Sequence, residues 1–189
     1  MCDRKKAVDT AKEQPGTKPG AAAATCPLRA GGGTEWKKQP GATDDDLKAS
    51  QKMWGDAKTR RLPDGSKPKT VQAMEALECS DKKTVINVGP DGNSASPDSR
   101  SDSQDPKKGS GGNINFDPNK KGDLGDGVTR DPESSLAHEA YHAYEYTQGT
   151  SGKTREEREV SASSAENEHR KAKGLPQRQK YGEWPIPQH

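Results

Sequence analysis

The chain has 189 residues, of which 26% are hydrophobic and 32% are charged, and it contains one phenylalanine. This composition predicts a single domain with a small hydrophobic core and polar extensions, and it leaves little room for two full domains. The formal net charge of +2 argues against nucleic-acid binding as the main activity. No stretch approaches the roughly 20 apolar residues that a membrane span requires.

Residues 1–68 are predicted to form a polar extension or linker with one short helix. Residues 1–43 contain runs of alanine, glycine and proline but no periodic apolar face. Thr43 and the three aspartates after it predict the start of a helix that ends near Gly55 or Thr59. The N-terminus carries positive charges without the apolar region of a signal peptide. We therefore expect that secretion would need a specialised injection system or a larger carrier protein.

The three cysteines Cys2, Cys26 and Cys79 do not have the Cys-x-x-Cys spacing of zinc sites. Their odd number leaves at least one of them without an intramolecular disulfide partner. We expect free thiols, with a bridge between Cys2 and Cys26 as the alternative.

Residues 69–189 are predicted to form an α+β domain. Apolar residues at threefold spacing indicate a helix over Lys69–Cys79. The run Thr84–Val88 is typical of a strand, and the Gly-Pro-Asp-Gly turn closes it. Residues 93–112 are rich in serine, aspartate and glycine, and we expect a mobile loop there. A short strand over Ile114–Phe116 follows that loop.

The most informative motif is His138-Glu139-Ala140-Tyr141-His142, a His-Glu-x-x-His pattern. Asp131 and Pro132 predict that a helix starts just before the motif, and Gly149 predicts its end. Residues four apart lie on the same face of a helix, so both imidazoles can bind one metal ion. Glu139 then lies beside the ion, where it can accept a proton from bound water. The motif predicts zinc as the cofactor, His138 and His142 as ligands and Glu139 as the general base.

A second helix, from Thr154 to Lys173, is predicted to supply the third zinc ligand. Thr154 and Glu157 form a capping box, and Gly174 follows the end of the helix. Catalytic zinc usually has three protein ligands and one open position. The candidates are the acidic residues of this helix, namely Glu156, Glu157, Glu159, Glu166 and Glu168. We favour Glu159 because the small residues after it would allow this helix to approach the first one closely.

Four motifs, in the order in which they occur, resemble the M91 family of zinc metallopeptidases. They are the segment Leu136–Tyr144, Glu159-x-x-Ala162, Glu166-Asn167-x-x-Arg170, and Gly174-Leu175-Pro176-x-Arg178-x-x-Tyr181. The upstream sequence Ile114-Asn115-Phe116-Asp117-Pro118 matches a segment that tends to precede the active-site helix in that family. The resemblance covers about residues 71–181. The family includes bacterial type III secretion effectors that cut host MAP kinases, and related domains form the toxin tips of large secreted proteins.

The resemblance implies the same site residues: His138, His142 and Glu159 as zinc ligands and Glu139 as general base. One departure affects the third ligand. The family often has a second glutamate before the ligand, whereas Arg158 precedes Glu159 here. A register shifted by three residues would make Glu156 the ligand instead.

An oxyanion forms during peptide hydrolysis, and a tyrosine or histidine near the metal commonly stabilises it. Tyr181 and His169 are the candidates, and we choose Tyr181 because it ends the last family-like motif. Packing of the C-terminal tail is the alternative role for Tyr181. For Arg170 and Arg178 we expect a structural ion pair with Glu166 in preference to a substrate contact.

These observations predict a small zincin-like fold with a short sheet, one helix below it, the active-site helix and the glutamate helix. The expected function is a zinc-dependent endopeptidase, a secreted bacterial effector or toxin domain that cleaves a protein in the target-cell cytoplasm. The expected partners are this substrate and a cognate immunity protein or the secretion apparatus, and we expect a monomer. The alternatives are a zinc amide hydrolase for a non-protein or cell-wall substrate, and a catalytically silent binding module. Glu139 argues against the binding module, because a structural site needs no general base.

Overall fold

The computed structural model describes residues 32–125 and 127–188, which form an α+β fold around a four-stranded mixed sheet. The strand order is β1-β2-β4-β3; the first three strands in this order are parallel, and β3 is antiparallel to β4 at one edge. A two-stranded ribbon of β5 and β6 lies close to the C-terminus. The strands are β1 (Gly33–Lys38), β2 (Lys83–Val88), β3 (Ser94–Pro97), β4 (Gly112–Phe116), β5 (Lys180–Tyr181) and β6 (Trp184–Pro185).

The two central strands bury one face of the sheet because their side chains alternate with a period of two. Ile86 of β2 and Ile114 and Phe116 of β4 are fully buried and belong to the hydrophobic core. The opposite face is polar, and the Asn87 side chain donates a hydrogen bond to Asn115 Oδ1 at 3.3 Å. The core therefore lies on one side of the sheet, between its apolar face and the helices.

Four helices accompany the sheet, and the sequence predicted each of them. They are α1 (Asp44–Lys58), α2 (Lys69–Cys79), α3 (Pro132–Gln148) and α4 (Arg155–Ala172). Thr43 and Thr154 form the capping boxes that begin α1 and α4. Gly149 ends α3 with a φ of 67°, a left-handed conformation that glycine adopts without a steric penalty. None of these described helices combines the length and apolarity needed to cross a membrane.

The described part of the predicted extension packs against the same core. β1 pairs with β2 over six positions, from Gly33 opposite Lys83 to Lys38 opposite Val88. In α1, Trp54 is buried in the core, and its Nε1 donates a hydrogen bond to Glu78 at 2.8 Å. Residues 1–31 lie outside the described part of the chain, and the division at residue 68 stays a prediction.

The segment 93–112, which we predicted to be a mobile loop, contains β3 and a 3-10 turn at Asp102–Gln104. The Asp98 N–H donates to the Gly111 carbonyl at 3.0 Å, and the Ser110 N–H donates to the Tyr146 carbonyl at 2.8 Å. The first bond joins two parts of the segment, and the second connects the segment to the end of α3. No strand could be predicted here because β3 pairs through its backbone at a sheet edge and carries no large apolar side chain.

Cys79, the last residue of α2, is disulfide-bonded, and the prediction of free thiols is therefore wrong for this residue. Cys2 and Cys26 lie outside the described residues. Disulfide pairing depends on proximity in the folded chain, and the sequence spacing of three cysteines carries no information about it.

Candidate metal centre

The α3 helix holds the two histidines and the glutamate of the His-Glu-x-x-His motif. Asp131 caps the helix by accepting a hydrogen bond from the Ser134 N–H at 2.9 Å, and Pro132 occupies its first turn. Leu136 and Ala140 are fully buried in the core and fix the rotation of the helix about its axis. His138, Glu139 and His142 retain 4–8% of their surface accessible to solvent. The motif therefore lies in a largely buried position with narrow access to solvent.

The α4 helix brings Glu159 to both histidines. Glu159 Oε2 lies 3.4 Å from His138 Nε2 and 3.4 Å from His142 Nε2. A tetrahedral zinc ion with bonds of about 2.1 Å separates its ligand atoms by about 3.4 Å. The ligand atoms of these three residues all lie within 4.8 Å of one another. The donor set and its spacing therefore fit a zinc ion with three protein ligands.

The other four acidic candidates on α4 have different surroundings. Glu157 caps the helix by accepting hydrogen bonds from the backbone N–H groups of Lys153 and Thr154. Glu168 pairs with Lys69 across the contact with α2 at 3.1 Å. Glu156 is exposed and belongs to no metal-ligating cluster among the described residues. Glu166 contacts the far side of His138.

Glu166 is buried and orients the His138 ring. Its Oε2 lies 3.2 Å from His138 Nδ1, the ring nitrogen that faces away from Glu159. Arg170 Nη1 and Arg178 Nη1 each lie 3.3 Å from the Glu166 carboxylate, which is the structural ion pair predicted for these arginines. Burial alone would raise the pKa of Glu166, but the contacts with His138 and the two arginines outweigh it and lower the pKa. A charged Glu166 stabilises the N–H on Nδ1, which leaves Nε2 directed at the metal position.

The pKa values of the two histidines shift in opposite directions. Burial lowers the pKa of His138, but its hydrogen bonds with Glu159 and Glu166 outweigh burial and raise the pKa to about 10. Burial is the main reason why the pKa of His142 is lowered. Metal binding at Nε2 requires a neutral imidazole, so a metal ion that binds here would have to displace a proton from His138.

Glu139 lies where two cavities meet. The Arg130 cavity has a volume of about 270 Å³ and is lined by Lys120, Asp123, Arg130, Ser135, His138 and Arg178, among others. The Arg158 cavity has a volume of about 260 Å³ and is lined by Ala95, Arg100, His142, Tyr146, Arg155 and Arg158, among others. Asn93, Glu139 and Tyr181 line both cavities. Burial raises the pKa of Glu139 to about 7, which suits exchange of a proton near neutral pH.

Two tyrosines flank the histidines. The Tyr181 ring stacks on His138 at 6.1 Å between ring centroids, and burial together with the charge of Glu159 raises its pKa. The Tyr146 ring stacks on His142 at 6.4 Å, and its hydroxyl donates a hydrogen bond to the Ala95 carbonyl of β3 at 3.2 Å. Burial raises the pKa of Tyr146 to about 12. Both phenols are therefore protonated hydrogen-bond donors at neutral pH.

Of the two predicted candidates for the oxyanion donor, only Tyr181 lines the cavities, and the site also contains residues that were not predicted. His169, the alternative to Tyr181, is fully buried, and its Nε2 contacts Glu133 at 2.9 Å, so it lines neither cavity. Tyr146 was not predicted, although its position four residues after His142 places it on the same helix face. Arg100 was also missed, because it reaches the cavity from the segment after β3 and no sequence spacing relates it to the motif.

The sequence profile of the M91 peptidase family, described as an effector protein, matches residues 57–184, or 128 of the 189 residues. No curated protein and no solved structure matches the chain. The matched region extends from the end of α1 to β6 and includes His138, His142 and Glu159. The resemblance found in the sequence is thereby confirmed, and it implies delivery into host cells and a protein target. The chain belongs to the M91 peptidase family of effector proteins.

Proposed function

We propose that this protein is a zinc-dependent endopeptidase with a zincin-like active site. One observation carries the proposal: Glu159 Oε2 lies 3.4 Å from the Nε2 atoms of both His138 and His142. Glu139, the residue after His138, lies in the same buried site. Three protein ligands leave a fourth position for water or substrate, which is the arrangement of catalytic zinc. Membership in a peptidase family supports the same conclusion.

His138, His142 and Glu159 would hold the zinc ion, which when bound would supply a Lewis acid for the scissile carbonyl and for the attacking water. Glu139 accepts the proton from the attacking water and later donates it to the leaving amine nitrogen. The Tyr181 hydroxyl, beside Glu159, donates a hydrogen bond to the developing oxyanion of the substrate. Glu166 takes no part in the bond changes but fixes the His138 ring through Nδ1.

The edge strand β3 is the proposed binding site for an extended peptide. Among the described residues it has a neighbour on one side only, β4, and its residues Ser94 and Ala95 line the same cavity as Glu139. A peptide that pairs with such an edge gains affinity from backbone hydrogen bonds with little dependence on its side chains. The scissile bond would then lie beside Glu139, between the two cavities.

The family indicates a protein target inside a cell that receives the effector. We infer that the chain is a secreted virulence or toxin domain that a specialised secretion system delivers, and that it acts as a monomer in the target-cell cytoplasm. A cognate immunity protein in the producing cell stays part of this proposal. The division of the chain into an extension (1–68) and a peptidase domain (69–189) is also a proposal.

The test measures bound zinc by elemental mass spectrometry in wild type and in four variants. We expect about one zinc per chain in wild type and Glu139→Ala, and depletion in His142→Ala and Glu159→Ala. Glu156→Ala is the matched control on the same helix and should retain zinc. Loss of zinc in Glu156→Ala, with retention in Glu159→Ala, would move the third ligand to Glu156. No zinc in wild type after metal is added would refute the proposal.

The second part of the test measures cleavage of an unfolded protein such as casein by the zinc-loaded chain. Glu139→Gln should retain zinc and lose about 10²- to 10⁴-fold in kcat/KM, because it removes the group that carries the proton. Equal activity in wild type and Glu139→Gln would show that the cleavage does not come from this site.

A further inference from the structure

We propose that the Arg158 cavity binds an anionic side chain of the substrate, either a carboxylate or a phosphorylated hydroxyl, on the part of the peptide that precedes the scissile bond. This inference rests on the proposed peptidase function and names the substrate chemistry of that site. Three guanidinium groups, from Arg100, Arg155 and Arg158, line this cavity next to Glu139 and His142. They reach it from two separate elements, the segment after β3 and the first turns of α4.

None of these three guanidinium groups has a carboxylate among the described residues within 4.0 Å, whereas many other basic residues of the chain form ion pairs. Arg158 Nη1 instead donates to the backbone carbonyls of Gly152 and Lys153 at 3.2 Å. The Arg100 guanidinium lies 5.9 Å from the centre of the Tyr146 ring. Glu159 also lines the cavity, but both histidines engage its carboxylate. The positive charge of the cluster is therefore left for a ligand.

The helix dipole does not explain the two arginines at the start of α4. The N-terminus of a helix carries partial positive charge, which favours acidic residues there and disfavours basic ones. Glu156 and Glu157 follow that preference, and Arg155 and Arg158 oppose it. The positions of Arg155 and Arg158 are three apart, so their side chains leave the helix on neighbouring faces. Together with the helix terminus they form one region of positive potential at the cavity.

The lining of the Arg130 cavity, on the other side of Glu139, balances three basic residues with three carboxylates, Asp123, Glu139 and Glu166. Its basic residues are Lys120, Arg130 and Arg178, and Arg178 lies 3.3 Å from Glu166. The lining of the Arg158 cavity has three arginines and only two carboxylates, Glu139 and Glu159. A peptide that passes Glu139 must occupy both cavities, one on each side of the scissile bond. Because only the Arg158 cavity has an excess of positive charge, the anionic side chain belongs on that side of the bond.

The direction of β3 decides which side of the scissile bond this is. Asn93, just before β3, lines both cavities, whereas Ala95 within β3 and Arg100 after it line only the Arg158 cavity. β3 therefore runs from the position of Glu139 toward the arginine cluster. A peptide that pairs antiparallel with β3, the slightly more stable arrangement, runs the opposite way. Its residues in the Arg158 cavity then precede the scissile bond.

The first experiment uses zinc-loaded wild type and a library of proteome-derived peptides, with the cleavage sites read by mass spectrometry. We expect aspartate, glutamate or phosphoserine to be enriched among the four residues before the cleaved bond. Synthetic peptides that differ only in Asp, Asn, phosphoserine or Ser at the enriched position should then differ at least about tenfold in kcat/KM. The Asp and phosphoserine peptides distinguish a carboxylate site from a phosphate site.

The double variant Arg100→Gln/Arg158→Gln should lose the preference for the anionic peptide but still cleave the neutral one, because neither arginine contacts Tyr181. Arg61→Gln is the matched control, because Arg61 is an exposed arginine that lines neither cavity. Cleavage by wild type without enrichment of anionic residues would overturn the inference and leave the proposed peptidase function intact. Enrichment after the cleaved bond would overturn the assigned direction.

A binding measurement keeps the inference testable without turnover. Zinc-loaded Glu139→Gln is titrated with fluorescent hexaglutamate and hexaglutamine, and binding is followed by anisotropy. We expect hexaglutamate to bind at least about tenfold more tightly, and the two Arg→Gln substitutions, but not Arg61→Gln, to abolish the difference. Equal binding of both peptides would refute the anionic site, whereas absent cleavage with selective binding would refute only the peptidase function.

Discussion

Glu166 offers a direct test of how the buried charges of the site support metal binding. The substitution Glu166→Gln keeps the size of the side chain and removes its charge. It weakens three contacts at once: that with His138 Nδ1 at 3.2 Å and those with Arg170 and Arg178 at 3.3 Å. All four side chains are at most 8% exposed, so solvent screens these interactions little.

Two separate effects are expected from this substitution. Removal of one partner from a buried charge pair costs about 3–5 kcal/mol of unfolding free energy. The lower end, about 3 kcal/mol, applies here, because Arg170 keeps hydrogen bonds to the Pro176 and Thr129 carbonyls at 2.6 and 3.1 Å. Loss of the partner of a ligating histidine also weakens metal binding by about 10- to 100-fold. Typical domains have about 5–15 kcal/mol of stability, so the variant should stay folded.

Glu133→Gln is the matched control. Glu133 is a buried carboxylate in the first turn of α3, and it pairs with His169, Arg60 and Lys173 but not with a metal-site histidine. Urea unfolding of the metal-free protein should give a similar loss of stability for both variants. Zinc titration against a competing chelator should show weaker binding for Glu166→Gln only. A zinc affinity that is unchanged in Glu166→Gln, or lowered equally in both, would refute the orienting role of Glu166.

Three further predictions concern the oxyanion donor, pH and the metal. Tyr181→Phe should lower kcat/KM by about 10²- to 10³-fold with unchanged zinc content, and a loss no larger than that of Tyr146→Phe in the same assay would argue against Tyr181 as the donor. Burial raises the pKa of Glu133, but hydrogen bonds from His169 and Arg60 outweigh it and hold the pKa well below the ordinary value of 4.5. The stability that Glu133 contributes is therefore present above about pH 4.5 and is lost as the pH falls toward its folded pKa, so urea unfolding should show the gap between wild type and Glu133→Gln shrinking below that pH. Protein in the presence of free zinc at about 100 times its Kd should unfold at a thermal midpoint roughly 5–10 °C higher than the same protein after chelation, because only the native state binds the ion. An unchanged midpoint would show that the metal does not stabilise the fold.

Three of the helices that the sequence predicted correctly, α1, α3 and α4, begin at a side-chain cap, whereas α2 has no such cap and was predicted from the spacing of its apolar residues. Thr43, Asp131 and Thr154 each accept a hydrogen bond from a backbone N–H three residues later. The residues at the start of these three helices are therefore enough to predict where each helix begins. β1 and β3 lack such signals. Trp36 is the single large apolar residue of β1, and β3 has none, so both strands depend on the partners that the fold brings to them.

The choice between Glu159 and Glu156 as third ligand cannot be made from the sequence. Along α4, helical periodicity places Glu159, Ala162, Glu166 and Arg170 on one face and moves Glu157 and Glu168 to another. Glu156 lies one turn before Glu159, so periodicity alone does not separate these two. Their difference comes from the contact between α3 and α4, where Ala162 and its neighbour Ser163 are fully buried. Because a short carboxylate side chain reaches the histidines only from the turn closest to α3, the closest approach of the two helices determines which glutamate can bind the metal. The approach of the two helices is a property of the folded chain. The zinc contents of Glu159→Ala and Glu156→Ala therefore show which of the two glutamates it brings to the metal.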